Sequence, residues 1–375
     1  MCHKLNKITI LLAGGGTGGH IYPGIALATQ FEKYKNIKAL MVITQKEGDI
    51  NIVSKEAIDY KTLPLTGMHW NQMCKALWCS WAIMSSQKPS LVIGLGAYVS
   101  FPVVIIAWIR RIPVCIQEQN LLPGMANRVL GRIAEKIFVS FKQTQRYFPP
   151  TKTMVAGNPV RPIIRLTQGE RKNYLRELGL CPDRFTILVY GGSLGAHSIN
   201  KAVMDAIDVL KGEGGEILGR IQIIHQTGEK DYMIVQRHYV RNNVVSIVQP
   251  FFFNMMLLYA LCDLIISRSG AGSVAEITAV GKPAIVIPYP YAKAGHQKEN
   301  ARAMVENGAA FMIEDHRLDG TSLAHRIMQM LETPGLITKM AQASKYMGHE
   351  DAALSIVNVC CNLLSLPSDE RKKSY

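Results

Sequence analysis

ITILLAGGGTGGHIYPGIALATQFEK, Ile8–Lys33, passes from a β-branched apolar run through a glycine-rich turn into a helical pattern. The strand is read over Ile8–Leu12 and the helix over Pro23–Lys33, with GGGTGGH, Gly14–His20, between them. Strand, glycine loop and helix in that order open a βαβ unit of a parallel sheet. Amide groups at a helix N-terminus suit a phosphate. Gly14, Gly16 and Gly19 match the GxGxxG spacing, but a nicotinamide or flavin site also wants an acid ending the second strand. Here that strand ends in Thr44-Gln45 with Glu47 beyond, which argues against a dinucleotide. His20 is expected in the first turn of the helix, where the positive helix end disfavours imidazolium and keeps a ring able to accept a proton. The plainer role for it is a hydrogen bond to the loop.

The same rhythm continues outward. Lys38–Thr44, Leu91–Gly94, Val114–Gln117 and Lys136–Val139 read as strands, and helices fall near Trp70–Ser85 and Phe101–Arg110. A Gly/Pro-rich break, GNPVRP at Gly157–Pro162, ends the run. It restarts with strands at Thr186–Tyr190, Gln222–His225, Val244–Ile247, Leu264–Ser267 and Ala284–Ile287, and helices near Ala196–Leu210, Gly272–Val280 and His296–Asn307. The fold class is therefore α/β, two Rossmann-like doubly wound parallel-sheet domains expected to face one another across a ligand crevice. Their bounds are read as 1–158 and 159–340. A C-terminal helix near Ala352–Leu364, within 341–375, is expected to pack back on the first domain.

Further loops sit at the same sheet edges. GLGAYVSFP, Gly94–Pro102, and QEQN, Gln117–Asn120, follow two strands of the first domain, building with the first loop an anion pocket. GGSLGA follows the first strand of the second domain. SRSGAGSVAEI, Ser267–Ile277, runs from strand through a Gly/Ser turn into a helix. Amides near Ala271–Ser273 would meet a diphosphate, Arg268 would add charge, and Glu276 would take ribose hydroxyls. The plainer reading of Glu276 is a charge that complements the helix dipole. In PYPYAKAGHQKEN, Pro288–Asn300, the neutral polar groups of His296, Gln297 and Asn300 suit sugar hydroxyls, against a merely solvated helix start.

Composition narrows the partners. The 375 residues carry 42 Lys+Arg and 28 Asp+Glu, net +14. Residues 1–158 hold 18 basic against 7 acidic residues, net +11, and the remainder net +3. A basic half attracts nucleic acid, anionic membrane or phosphorylated substrate, and no nucleic-acid-reading motif is present. The 8 cysteines are scattered, with no CxxC pair and no zinc spacing, as for free thiols in a reducing cytosol. The apolar stretch before Gly14 is too short for a signal peptide, and FPVVIIAWI, Phe101–Ile109, too short to span a bilayer. Trp70, Met73, Leu77, Trp78, Trp81 and Met84 recur at helical spacing, flanked by Lys75 and Lys88, with Trp108, Arg110 and Arg111 ending another helix. Such a stripe is ordinarily core, but all 4 tryptophans beside Lys and Arg point to an interfacial patch.

GGTGGH, the AYVS loop, EQN, GNPVR, GGS-GA, SRSGA-x-x-x-E and HQ-x-x-N together, in this order over about residues 7–345, resemble glycosyltransferase family 28. The resemblance is to its N-acetylglucosaminyltransferases of peptidoglycan synthesis, enzymes of the two-domain GT-B fold. It implies inverting transfer of GlcNAc from UDP-GlcNAc to the MurNAc C4 hydroxyl of lipid I, giving lipid II and UDP. UDP-GlcNAc is then a substrate, and neither cofactor nor obligatory metal is needed. It further implies a peripheral protein on the cytoplasmic face of the bacterial inner membrane, bound to anionic lipid and meeting other cell-wall synthesis proteins. By the resemblance Thr17, Gly18, Gly19, Tyr98, Asn120 and Asn127 line the acceptor side, with His20 and Glu118 as first and second candidate bases. Arg161, Ser193 and Asn200 lie near the donor, as does Asn127. Phe251-Phe252 hold uracil, Ala271, Gly272 and Ser273 the diphosphate with Arg268, Glu276 the ribose, and His296 and Gln297 the sugar.

The chain also departs from the family. HEQN is QEQN, so Gln117 removes one possible base. Ala97 and Phe101 replace glycines of the GGYVSGP loop, Leu194 replaces a glutamine, and Phe253 stands in place of an acid. Three rival readings remain: another nucleotide-sugar transferase acting on a glycolipid, a nicotinamide-dependent oxidoreductase, and a protein that binds UDP-GlcNAc without turnover.

Overall fold

The computed structural model describes residues 8–16, 18–67, 70–212 and 216–366, apart from the side chain of Lys293. They form two compact units, Pro162–Gly348 being the second and the rest the first. Residues 159–161 thus stay with the first unit, and the expected boundary at 340 would have cut a helix.

The first unit alternates strand and helix: β1 (Ile8–Ala13), α1 (Gly18–Phe31), β2 (Ile37–Thr44), α2 (Glu47–Lys55), β3 (Tyr60–Leu63), α3 (Trp70–Gln87), β4 (Leu91–Gly94), α4 (Ala97–Ile109), β5 (Val114–Glu118), α5 (Met125–Leu130), β6 (Lys136–Val139) and β7 (Thr153–Val155). Among the described residues its strands form one parallel sheet in the order β3-β2-β1-β4-β5-β6-β7. Successive side chains point to opposite faces. Ile10 and Leu12 therefore join one core with Ile21, Ile25 and Phe31 of α1, while Leu11 and Ala13 join the other with Ala76, Val103 and Leu130. Burial on both faces explains why the strands read as unbroken apolar runs.

The second unit repeats the plan with α6 (Gln168–Glu177), β8 (Phe185–Tyr190), α7 (His197–Gly212), α8 (Glu216–Arg220), β9 (Ile221–Gln226), α9 (Tyr232–Arg241), β10 (Ser246–Gln249), α10 (Met255–Leu261), β11 (Leu264–Ser267), α11 (Ala271–Val280), β12 (Ala284–Val286), α12 (His296–Glu306), β13 (Ala310–Met312), α13 (Gly320–Glu332) and α14 (Leu336–Met347). Its strand order, β10-β9-β8-β11-β12-β13, is the winding of the first sheet again. The last helix, α15 (Ala352–Leu363), returns to the first unit. Ile356, Val357, Cys360 and Cys361 enter the core beside α1, and the Tyr34 hydroxyl donates to Asn358 Oδ1 at 3.3 Å. Fully burying one such apolar side chain contributes roughly 1.5–3 kcal/mol, enough to fasten the helix.

Two helix starts differ from expectation for one reason. Helices α1 and α4 begin at Gly18 and Ala97, so Pro23 and Pro102 lie inside them rather than opening them. Each proline forfeits one helical hydrogen bond, and neighbouring packing absorbs that loss. Strand β10 runs two residues later than the expected Val244–Ile247.

The tryptophan stripe divides by face. Ala76, Ser80 and Met84 form the buried side of α3, which removes Met84 from the expected patch. Trp70 and Trp78 are 80% and 74% exposed, and Trp81 and Trp108 about half. The Arg110 guanidinium sits 5.1 Å over the Trp81 ring and donates to Ser85 Oγ.

Candidate active-site residues

In the first unit the winding reverses between β1 and β4, the place where doubly wound sheets bind ligands. The loops after β1, β4 and β5 meet there. His20 is in the first turn of α1. Its Nδ1 lies 2.9 Å from the Leu95 carbonyl and 3.1 Å from Gln119 Oε1. Burial holds the imidazole pKa below its ordinary value, opposed by the Glu118 carboxylate and by those two hydrogen bonds. The ring is therefore neutral at pH 7. Gly96, at φ +86°, leaves room for it: a Cβ there would meet His20 Cε1 at 3.2 Å and Gln119 Oε1 at 3.3 Å.

The glycine loop is braced by a residue that the sequence reading missed. Asp49 Oδ2, from α2, accepts from the Gly16 amide and the Thr44 hydroxyl, each at 2.6 Å. One loop amide expected to face a phosphate is thereby spent on a carboxylate. Asp49 lies in the first turn of α2 rather than at the end of the second strand, and it is 4% exposed and turned onto the protein's own loop. Only its i, i+5 distance from Thr44 could have signalled it. The Tyr98 hydroxyl is buried without a hydrogen-bond partner and points at the loop, 3.3 Å from where a Gly16 Cβ would be. Gly18 and Gly19 are the first two residues of α1, and Thr17 lies outside the described residues.

Glu118, the second candidate base, is held from several sides. It is 2% exposed and accepts hydrogen bonds at both oxygens. Oε1 takes the Asn120 amide at 2.9 Å and the Asn120 side chain at 3.3 Å. Oε2 takes the Gly124 amide at 3.0 Å and Asn127 Nδ2 at 2.9 Å. A carboxyl group so engaged shapes the loop that holds Asn120 and Asn127. Gln117 is fully buried and donates to Asn158 Oδ1 at 3.2 Å, a core position rather than a lost base. Ala97 has φ 58°, a left-handed conformation costly for any residue with a Cβ. Arg161 lies within the first unit, its guanidinium 4.5 Å over the Tyr22 ring.

In the second unit β8 and β11 flank the matching reversal. Helix α11 starts after Gly270 with no side-chain cap and no acid in its first turn, and Ala271, Gly272 and Ser273 lie at the positive end of its dipole. Glu276, 8% exposed, accepts from the Tyr259 hydroxyl at 3.0 Å. The Tyr190 hydroxyl lies 2.8 Å behind Tyr259, and burial pushes its pKa up to about 12, so the chain stays protonated. Gln297 Oε1 accepts from the Tyr289 amide at 3.0 Å, its carbonyl from Ser269 Oγ at 2.8 Å, and its Nε2 lies near Gly270. His296 Nδ1 is buried without a partner at the start of α12.

Gln226 joins two expected donor segments. Its Nε2 donates to Gly192 O at 2.9 Å and its Oε1 accepts from the Phe252 amide at 2.8 Å. Ser193 and Leu194 are exposed on that loop, and Phe251 meets exposed Phe253 edge-on at 5.0 Å. Gly195, at φ +76°, lets the loop press on Thr227, whose carbonyl would lie 1.9 Å from any Cβ.

Two expected donor ligands are otherwise occupied. Arg268 pairs with Asp315 and also donates to Ser198 Oγ at 2.9 Å and to the carbonyls of Ile287 and Pro288 at 3.3 Å. Its charge is neutralised, and it fastens the loop after β12. Asn200 is 1% exposed, donating to Thr227 O and Asp231 Oδ2 at 2.8 Å and accepting from His225 Nε2 at 3.0 Å. It anchors the GGSLGA loop from inside.

Two parallel sheets of one winding, each with helix-end and glycine loops at its reversal, define the class of GT-B glycosyltransferases. Family models match both halves: Glycosyltransferase family 28 N-terminal domain over residues 10–139 and Glycosyltransferase family 28 C-terminal domain over 186–356. The chain belongs to glycosyltransferase family 28. A relative from Thermodesulfovibrio yellowstonii is 38% identical over 95% of this chain and 98% of its own. It is named UDP-N-acetylglucosamine--N-acetylmuramyl-(pentapeptide) pyrophosphoryl-undecaprenol N-acetylglucosamine transferase, as is one from Myxococcus xanthus, 36% identical over 95% of this chain and 93% of its own. The crystal structure of Acinetobacter baumannii MurG is 26% identical, covers 94% of this chain and 98% of its own, and superposes with a TM-score of 0.75.

Proposed function

We propose that the chain transfers GlcNAc from UDP-GlcNAc to the MurNAc sugar of undecaprenyl-pyrophosphoryl-MurNAc-pentapeptide, lipid I, giving lipid II and UDP in peptidoglycan synthesis. The observation that carries this reading is full-length similarity to relatives named for that reaction, at 38% identity. In the reaction the acceptor C4 oxygen attacks the anomeric carbon as the bond from that carbon to the UDP oxygen breaks, with inversion. The hydroxyl proton passes to His20 Nε2. The charge that gathers on the departing diphosphate meets the amide end of α11. No obligatory metal is assigned.

Glu276, steadied by Tyr259, suits the ribose hydroxyls, and Gln297 and His296 suit the sugar. Tyr98, Gly18, Gly19 and Asn120 belong to the acceptor. No helix among the described residues is long and apolar enough to cross a membrane. The exposed tryptophans of α3 and α4 with Arg110 and Arg111 support peripheral docking on the anionic cytoplasmic face of the inner membrane.

Transfer of radiolabel from UDP-GlcNAc to a lipid I analogue tests the reading. Glu276→Ala is expected to raise the donor KM tenfold or more, and His20→Ala to lower kcat about 10²–10⁴-fold. Turnover of lipid I at the background rate by the unmodified protein would overturn the acceptor. An unchanged donor KM in Glu276→Ala would remove Glu276 from the site.

A further inference from the structure

We propose that Gln119 is a positioning residue that fixes the tautomer and the orientation of the His20 ring, so that Nε2 alone is the proton acceptor. The inference rests on the reading of His20 as the base.

The geometry leaves little choice. His20 Nδ1 faces two oxygens, the Leu95 carbonyl and Gln119 Oε1, at 2.9 and 3.1 Å. Neither can donate, so Nδ1 must carry the hydrogen, which leaves the lone pair on Nε2. The amide of Gln119 could in principle be turned to offer its NH2 instead. Its Nε2, however, lies 2.5 Å from the Leu95 carbonyl, and a turned amide would put two oxygens at that distance. Leu95 O therefore orients Gln119, and Gln119 with Leu95 O orients His20. Gln119 is 1% exposed, so water is poorly placed to replace it. Gly96 completes the socket, because a Cβ there would push on both the ring and Gln119 Oε1.

The socket also explains why a buried ring beside a helix N-terminus keeps useful basicity. Burial and the helix end both lower the affinity of the ring for a proton. Acceptors at Nδ1–H favour the charged ring and oppose that loss. Removing the Gln119 acceptor while keeping the side-chain volume, as in Gln119→Leu, leaves Leu95 O as the sole partner and frees the ring to turn.

The test is nitrogen-15 NMR of histidine-labelled full-length protein, with His20→Gln to assign the signals, beside steady-state kinetics. In the wild type His20 is expected as the neutral Nδ1–H tautomer at pH 7.5. In Gln119→Leu a substantial Nε2–H population appears and kcat falls about tenfold. The acid limb of the kcat profile moves to lower pH, and the donor KM stays within twofold. An Nε2–H tautomer in the wild type would overturn the proposal without any variant. So would an unchanged tautomer and pH profile in a Gln119→Leu protein that still binds UDP, even if His20→Ala is inactive, in which case the base assignment stands alone. A shifted tautomer together with an active His20→Ala keeps Gln119 as the ring-setting group and removes His20 as the base.

Discussion

His225 shows how one buried ring links the donor loops to pH. Its Nε2 donates to Asn200 Oδ1, and its Nδ1 accepts from the Tyr239 hydroxyl at 2.6 Å. A charged ring could also bond both groups, by donating to the Tyr239 oxygen, so burial and not the pairing keeps it neutral. Burial lowers the pKa to about 3 from 6.5. The unfolded chain takes up a proton near pH 6.5 while the native chain does not, so stability falls as pH drops through the window from 6.5 to about 3. Between pH 7 and pH 5 the second unit is expected to lose about 2 kcal/mol on this account. Urea unfolding of wild type and His225→Gln at both pH values measures it. The variant should lack that extra loss, and equal pH slopes would refute the assignment. His20 was legible as a candidate base because its helix start is local in sequence. Asp49, Gln119, Gln226 and Tyr259 were not, because each acts on a partner brought up by folding, such as Gly16 33 residues before Asp49 or His20 99 before Gln119. Arg268 shows the same limit: a sequence displays a charge but not the Asp315 that pairs with it 47 residues later.

At the scale of elements, the second unit grips its ligand end with loops fastened from behind. Arg268 follows β11 and holds the carbonyls that leave β12, while Gln297 of α12 holds the Tyr289 amide of the same loop. The Arg268–Asp315 pair is largely buried, its side chains 11% and 22% exposed. Asp315→Asn keeps the shape but removes the compensating charge, and is expected to cost about 1–3 kcal/mol by thermal or urea unfolding. It should also raise the donor KM several-fold through a looser loop. If Arg268 were instead a phosphate ligand held in check by Asp315, the same variant would bind UDP more tightly, and calorimetry separates the two. The fully buried strands and the apolar helices were readable because they leave strong patterns, whereas α13 and α14, 13 and 12 residues long, were not read. The three-residue strands β7 and β13 were not read, although β12, equally short, was. Helices α1 and α4 start before their prolines because each proline there forfeits only one helical hydrogen bond.

For the whole molecule, the proposed membrane contact rests on the charge and the aromatic exposure of the first unit. That part of the chain is strongly basic, with 18 Lys+Arg against 7 Asp+Glu in residues 1–158. Its tryptophans are not core: Trp70 and Trp78 are 80% and 74% exposed, at the N-terminal end and middle of α3. On the proposed reading the acceptor carries a polyprenyl chain, and the exposed tryptophans beside basic residues are the proposed peripheral contact with the bilayer. Each well-placed cation contributes roughly 1 kcal/mol near an anionic surface, and salt screens that part but not the aromatic insertion. Wild-type protein should therefore co-sediment with phosphatidylglycerol vesicles more than with phosphatidylcholine vesicles, less so as salt rises. A Trp70→Ser, Trp78→Ser double variant should bind anionic vesicles at least tenfold more weakly while unfolding at an unchanged temperature, because both rings are mostly in water. Its kcat with a short-chain, water-soluble lipid I analogue should match the wild type, and its rate on vesicle-borne acceptor should fall. Equal vesicle binding by the variant would move the docking surface elsewhere, and a fall in both rates would make the tryptophans part of the acceptor site rather than of the membrane contact.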